Sequence, residues 1–93
     1  MENSIREKLE KLAEEVQKNM TNPDVDIEFC FDEACGAPHI IVNYVVEEHD
    51  VHKKRIDIDP EHLKMDLKDL TNFIVFQIEQ FMSEIDSVEY GGD

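Results

Sequence analysis

The sequence lacks the features that place a protein in a membrane or outside the cell. It contains no apolar run long enough to span a bilayer, and its N-terminus is charged and helical in pattern rather than a secretory leader. It has only two cysteines among 93 residues. We therefore expect a soluble, reduced protein of the cytoplasm, with residues 1–93 forming a single domain with a modest core.

Motifs of catalysis are also missing. There is no glycine-rich phosphate loop, no C-x-x-C pair, no H-E-x-x-H segment and no nucleophile elbow. Carboxylates are so numerous that no pair stands out as a general acid and base. We therefore expect a protein that is not an enzyme and needs no cofactor.

Basic residues are absent from two long stretches of the chain. The formal net charge is −14, from 23 acidic and nine basic residues. Residues 23–50 contain eight acids and no Lys or Arg, and residues 69–93 contain six acids and no Lys or Arg. Such a field repels nucleic acid and anionic membranes and attracts basic partners. High acidity also serves solubility alone, so composition leaves both interpretations open.

The stretch from Asp24 to Glu33 alternates strictly between apolar and acidic residues. One parity holds Val25, Ile27, Phe29 and Phe31, and the other holds Asp24, Asp26, Glu28, Cys30 and Asp32. This alternation predicts a half-buried β-strand with carboxylates on its outer face. Residues on one face of a strand repeat at about 6.6 Å, which resembles the spacing of charges along a nucleic-acid strand.

Helices are predicted on both sides of the strands. A capping box that starts at Ser4 predicts an amphipathic first helix, which ends before Pro23. Asp59 and Pro60 have the residue types that begin a helix. The long apolar stripe that follows predicts the main core helix. Asp66 and Asp69 are both reasonable caps, so the sequence leaves open whether this helix is continuous or broken near Asp66.

Two further strands are predicted over residues 39–48 and 51–58. The order of elements is then α-β-β-β-α, and the short connections favour an antiparallel meander. Because each helix has one apolar stripe and the sheet has one strongly apolar face, we expect an α+β two-layer sandwich with a three-stranded sheet and the helices on one face.

The uncovered sheet face is expected to contain apolar residues at its centre. Ile41 and Val45 fall on that face, and Phe76 lies away from the apolar stripe of the last helix. Exposed apolar groups of this kind predict contact with a second copy or another partner.

A basic cluster, Lys53 to Arg55, follows the turn between the second and third strands. We interpret it as charge pairing across the hairpin with Glu47 and Glu48. A basic triplet in so acidic a protein is a poor nucleic-acid site.

One grouping that suggests a metal site is Cys30, Cys35 and His39, with His49, His52 or His62 as a fourth ligand. Their C-x4-C-x3-H spacing is not a usual structural zinc pattern, so we expect no metal. A disulfide between the cysteines is feasible across the loop, but a reducing compartment disfavours it.

The whole chain resembles a class of small acidic DNA-mimic proteins, many of them encoded by phages, in its length, order of elements and density of acids. The class includes anti-CRISPR proteins and inhibitors of the nucleoid protein HU. The residues that carry the resemblance are Asp24, Asp26, Glu28 and Asp32, with Glu33, Glu47, Glu48 and Asp50 beside them. The resemblance implies that these carboxylates bind and inhibit a basic DNA-binding protein by standing where phosphates would be, with no direct contact to nucleic acid.

That resemblance implies a partner such as a nucleoid protein, a nuclease or a polymerase subunit, in the cytoplasm of the host if the protein is phage-encoded. The basic cluster departs from the pattern and would have to be paired internally or turned away. The alternative hypothesis is a non-catalytic, dimeric structural or adaptor module that uses Ile41, Val45 and Phe76, and whose acidity serves only solubility.

Overall fold

The structure is a computed structural model that describes residues 3–47 and 50–87, with the side chains of Asn3, Glu33 and Glu47 outside the description. Its elements are α1 (Asn3–Asn19), β1 (Val25–Cys30), a 3-10 helix (Glu33–Cys35), β2 (His39–Glu47), β3 (Asp50–Asp57), α2 (Pro60–Leu63) and α3 (Leu67–Asp86). This order confirms the predicted α+β fold.

The three strands form one antiparallel sheet in the order β1-β2-β3. Ile27 of β1 pairs with Val42 of β2, and Ile40 of β2 pairs with Ile56 of β3. The apolar parity of each strand therefore falls on a single face of the sheet, as period-two alternation requires.

The helices cover that apolar face and enclose the core. One buried cluster combines residues of α1, of the sheet, of the position directly after β3 and of α3. Its ten members are Leu9, Leu12, Val16, Ile40, Val42, Ile56, Ile58, Leu70, Ile74 and Ile78. At its margin the Tyr44 hydroxyl donates a hydrogen bond of 2.9 Å to Asp86 Oδ1, which joins β2 to the end of α3.

The first helix begins earlier than the capping box predicts. Because α1 already includes Asn3, Ser4 lies inside the helix and is not its N-cap, so that prediction is wrong. Serine inside a helix costs less than about 0.7 kcal/mol relative to alanine, so the capping pattern does not force the helix to begin there.

The main core helix is broken near Asp66, which decides a question that the sequence left open. α2 ends at Leu63, and α3 starts at Leu67 with Asp66 as its N-cap. The break turns Met65 inward, where it packs half-buried against the core instead of lying opposite the apolar stripe. On one continuous helix Met65 would lie opposite the apolar stripe, so the break accounts for its inward position.

Lys8 holds this break in place from the first helix. Its Nζ donates a hydrogen bond of 2.8 Å to the Leu63 carbonyl and a second hydrogen bond to the Met65 carbonyl. Carbonyls at a helix end lack partners inside the helix, and a cation satisfies them well. Sequence analysis assigned no role to this lysine, because its partners lie 55 and 57 residues away.

Candidate functional site

The sheet face turned away from the helices, here called the open face, contains three parallel rows of side chains. The register and the alternation of each strand define the rows. On the β1 side they are Asp24, Asp26, Glu28 and Cys30; on β2 they are His39, Ile41, Asn43 and Val45; on β3 they are Val51, Lys53, Arg55 and Asp57. Asp24 precedes β1 but continues the ladder, because its carbonyl accepts a 2.9 Å hydrogen bond from the Val45 amide.

The three carboxylates of the first row, Asp24, Asp26 and Glu28, are called the acid row. All three are exposed. In the described part of the chain, none of them forms an ion pair with a lysine or arginine. Glu28 accepts a 2.9 Å hydrogen bond from Asn43 Nδ2, which orients its carboxylate without neutralising it. The acid row therefore combines regular strand spacing with uncompensated charge.

The predicted acids beyond Cys30 lie on the loop that follows β1. Asp32 is exposed, and its Oδ1 lies 3.9 Å from Arg6 Nη2, which is also exposed. Exposed pairs of this kind contribute about 0–1 kcal/mol, so Arg6 only partly offsets this charge. Glu33 lies in the 3-10 helix, with its side chain outside the description.

The structure does not place the predicted acids of the hairpin beside the acid row. Asp50 has the parity of the helix-covered face, where its Oδ2 lies 3.3 Å from His52 Nε2. Glu47 ends β2 opposite Asp50, and Glu48 lies outside the described residues. The structure therefore brings together three of the predicted binding residues on one surface, namely the acid row.

The two cations of the third row, Lys53 and Arg55, are called the basic row. Both are exposed, and they lie opposite Asn43 and Ile41 on the open face. Lys54 has the opposite parity and pairs with Val42.

The expected pairing of the basic cluster with the hairpin acids is wrong for Arg55. Its Nε lies 2.7 Å from Asp57 Oδ1, two residues along the same strand. The register explains this, because Glu47 lies opposite Asp50 and is therefore well away from Arg55.

The side chains of the central row, on β2, are largely buried although they lie on the open face. Asn43 is 8% exposed and His39 is 9% exposed, while Ile41 and Val45 are half-buried. Long charged side chains on the flanking strands cover such a row with their apolar stems. Phe76 is exposed, at 54%, but it lies on α3 in the other layer and does not share a surface with Ile41 and Val45.

The two cysteines are joined in a disulfide, so the expectation of free thiols is wrong. The 3-10 helix and Gly36, whose φ of 76° is left-handed, turn the chain back after β1. This brings the Cα atoms of Cys30 and Cys35 to 5.9 Å, within the range of a disulfide. This loop geometry is independent of the redox state of the compartment, which was the only ground for expecting free thiols.

The disulfide also removes the thiolates that the metal interpretation required. His39 Nδ1 lies 3.0 Å from the Ala37 carbonyl oxygen. Within residues 3–47 and 50–87, no group of three or more His, Cys, Asp or Glu side chains has a geometry that could hold a metal ion.

A cleft of about 270 Å³ lies between the end of α1 and the start of α3. Its lining residues are Glu15, Asn19, Leu67, Lys68, Thr71 and Asn72. They include no cysteine or histidine, but they do include the Thr71 hydroxyl and the charged groups of Glu15 and Lys68.

Comparison with known proteins identified no relative. No family model matches the chain, and neither a curated protein nor a solved structure matches it. None of the helices in the described residues has the length and apolar character needed to cross a membrane.

Proposed function

We propose that this protein is a non-catalytic DNA mimic, which binds a basic DNA-binding protein through the acid row and blocks its DNA site. The supporting observation is that Asp24, Asp26 and Glu28 stand exposed on one strand, without an ion pair to lysine or arginine in the described chain. Their repeat of about 6.6 Å presents a line of negative charge to lysines and arginines that normally contact phosphates.

The position of β1 at the sheet edge favours this use. A partner can reach the acid row from the side as well as from the open face, because β1 is an edge strand of the sheet that the described residues form. The basic row lies two strand spacings away, about 10 Å. That distance exceeds the Debye length of about 8 Å at physiological ionic strength, so Lys53 and Arg55 weaken the field at this edge only modestly.

A favourable free energy of binding and a fast association rate would require the three carboxylates of the acid row to contact the partner at the same time. A single exposed ion pair contributes about 0–1 kcal/mol, too little for a stable complex. Several pairs formed at once add specificity, and the field of the whole chain accelerates encounter with a basic surface.

The test is capture of partners from a nuclease-treated lysate by the tagged protein, with washes of rising salt and identification of bound proteins by mass. The wild type should retain a basic DNA-binding protein that elutes with salt, and the variant Asp26→Lys, Glu28→Lys should lose it. The matched control is Glu79→Lys, Glu84→Lys, which makes the same change of charge at exposed positions of α3.

The control variant should keep the partner. Equal loss from both variants would show that overall charge, rather than the acid row, holds the partner. Full retention by the Asp26 and Glu28 variant would exclude the acid row as the interface.

A further inference from the structure

The open face carries opposite charges on its two outer strands. The acid row lies on β1, the basic row on β3, and the neutral row of β2 lies between them. The register places Asp26, Asn43 and Lys53 on one level across the sheet. It places Glu28, Ile41 and Arg55 on the next level. A surface with this order of charges is complementary to itself.

Two copies that pack face to face are related by a two-fold axis that lies between their sheets. If the axis runs parallel to the strands, the rotation reverses the order of the strands and keeps their direction. β1 of one copy then lies over β3 of the other, so Asp26 faces Lys53 of the second copy. Glu28 faces Arg55 in the same way, and because Arg55 Nε already donates to Asp57 Oδ1 at 2.7 Å, the terminal N–H groups of the guanidinium make this contact. An axis across the strands would instead place the acid row on itself.

We propose that the open face binds a second copy of this chain, sheet on sheet, with the two-fold axis parallel to the strands. Sheets that pack in this way keep their strands within about 30° of each other, so facing levels stay close near the axis. The two middle strands meet at the centre, where Ile41 and Val45 lose their remaining contact with water. Four ion pairs surround them, two from each copy's acid row.

The size of the face predicts that the dimer is weak. Three strands and about six residues along each give roughly 15 by 20 Å, or about 300 Å² in plan. A standard interface buries about 800 Å² on each partner. Each copy also has a net charge of −14, which opposes association. We therefore expect a dimer that forms at protein concentrations of about 100 µM and above and exchanges with the monomer.

This dimer goes beyond the proposed function and does not depend on it. The two are linked, because the basic row of the second copy occupies the acid row that a basic partner would use. Self-association would thus shield the acid row until a more strongly basic surface displaces the second copy.

The test is sedimentation equilibrium from about 10 µM to 1 mM at fixed ionic strength. Lys53→Glu, Arg55→Glu should weaken the dimer at least about tenfold, and so should Asp26→Lys, Glu28→Lys. The variant with all four changes exchanges the two rows and keeps the net charge of the wild type. It should restore the dimer to within about threefold of the wild-type affinity.

The Asp26 and Glu28 variant separates local pairing from overall charge. It lowers the negative charge of each copy, so a dimer limited only by repulsion would become tighter, whereas paired rows predict a weaker one. Salt is a less informative variable, because it screens the repulsion and the pairs together. Circular dichroism checks that each variant is folded.

Three results would overturn the proposal: a wild type that stays monomeric at 1 mM, a dimer unaffected by either pair of changes, or a folded four-change variant that does not dimerise.

Capture of partners from lysate tests the proposed function separately from the dimer. The Lys53 and Arg55 variant should capture more basic partner than the wild type, because its acid row is free. If the wild type does not dimerise but still captures a basic partner, only the dimer proposal is excluded. If the wild type dimerises but captures no partner, only the DNA-mimic proposal is excluded.

Discussion

The two faces of the sheet are built from the same three strands and have opposite properties. On the helix-covered face, Ile40 and Val42 have no exposed surface and Ile56 is 6% exposed. The residues next to them in sequence, Ile41 and Arg55, lie on the open face, where Ile41 is half-buried and Arg55 is exposed. Adjacent residues of a strand therefore have different roles, because one face packs in the core and the other presents charged side chains to solvent. Effects of substitution should alternate along each strand.

The largest expected effect is at the buried face. Ile40→Ala should lower the free energy of unfolding by about 2–5 kcal/mol, because it leaves a cavity in the core. The matched change Ile41→Ala, on the same strand and the opposite face, should lower it by about 1 kcal/mol or less. Urea unfolding at a few micromolar protein, where a weak dimer is dissociated, measures both. Equal losses would show that the open face is covered in the monomer.

The disulfide should be the main stabilising feature at the open face. Cys30 and Cys35 are five residues apart, so their bond closes a short loop. Chain-entropy arguments give about 2 kcal/mol for a loop of this length. Replacing both cysteines with serine should lower the free energy of unfolding by that amount.

Urea unfolding with and without a reductant tests the same bond in the wild type. The midpoint should fall when reductant is added, and the serine variant should not respond. A wild type that ignores the reductant would show that the cysteines are not joined in solution.

The smallest effect is expected within the acid row. Asp26→Asn removes a charge that has carboxylates on both sides at about 6.6 Å. Like charges at such spacing repel weakly, so the free energy of unfolding should stay within about 0.5 kcal/mol of wild type or rise slightly. Urea unfolding at low salt checks this. A loss above about 1 kcal/mol would mean that Asp26 stabilises the folded chain, which would break the contrast between the faces.

Much of the fold follows from local patterns in the sequence. Period-two alternation placed Ile27 and Ile40 on the buried face and the acid row on the other, because the pleat leaves no other choice once one face is covered. The break before α3 was one of two outcomes that the sequence allowed, because Asp66 is an acid that can cap the helix immediately after it. These signals depend only on residues near one another in the chain.

The features that sequence analysis missed depend on long-range geometry. Lys8 contacts carbonyls more than fifty residues away. Arg55 pairs with Asp57 rather than with the hairpin acids, because the register of β2 and β3 sets which groups meet. The opposite charges on the two edges of the open face became visible only when β1 and β3 were placed on either side of β2.

The helical layer has a consequence for synthesis of the chain. α1 comes from the start of the sequence and α3 from its last third, and both pack against strands made between them. When a ribosome has completed the meander, Ile40, Val42 and Ile56 therefore still lack the cover of α3, because α3 has not yet emerged. The nascent chain passes through a stage in which only α1 can cover the apolar sheet, and such partly covered intermediates aggregate or bind chaperones. This stage ends when α3 packs against the sheet. The rate of that packing should therefore determine what fraction of newly made protein reaches the folded state.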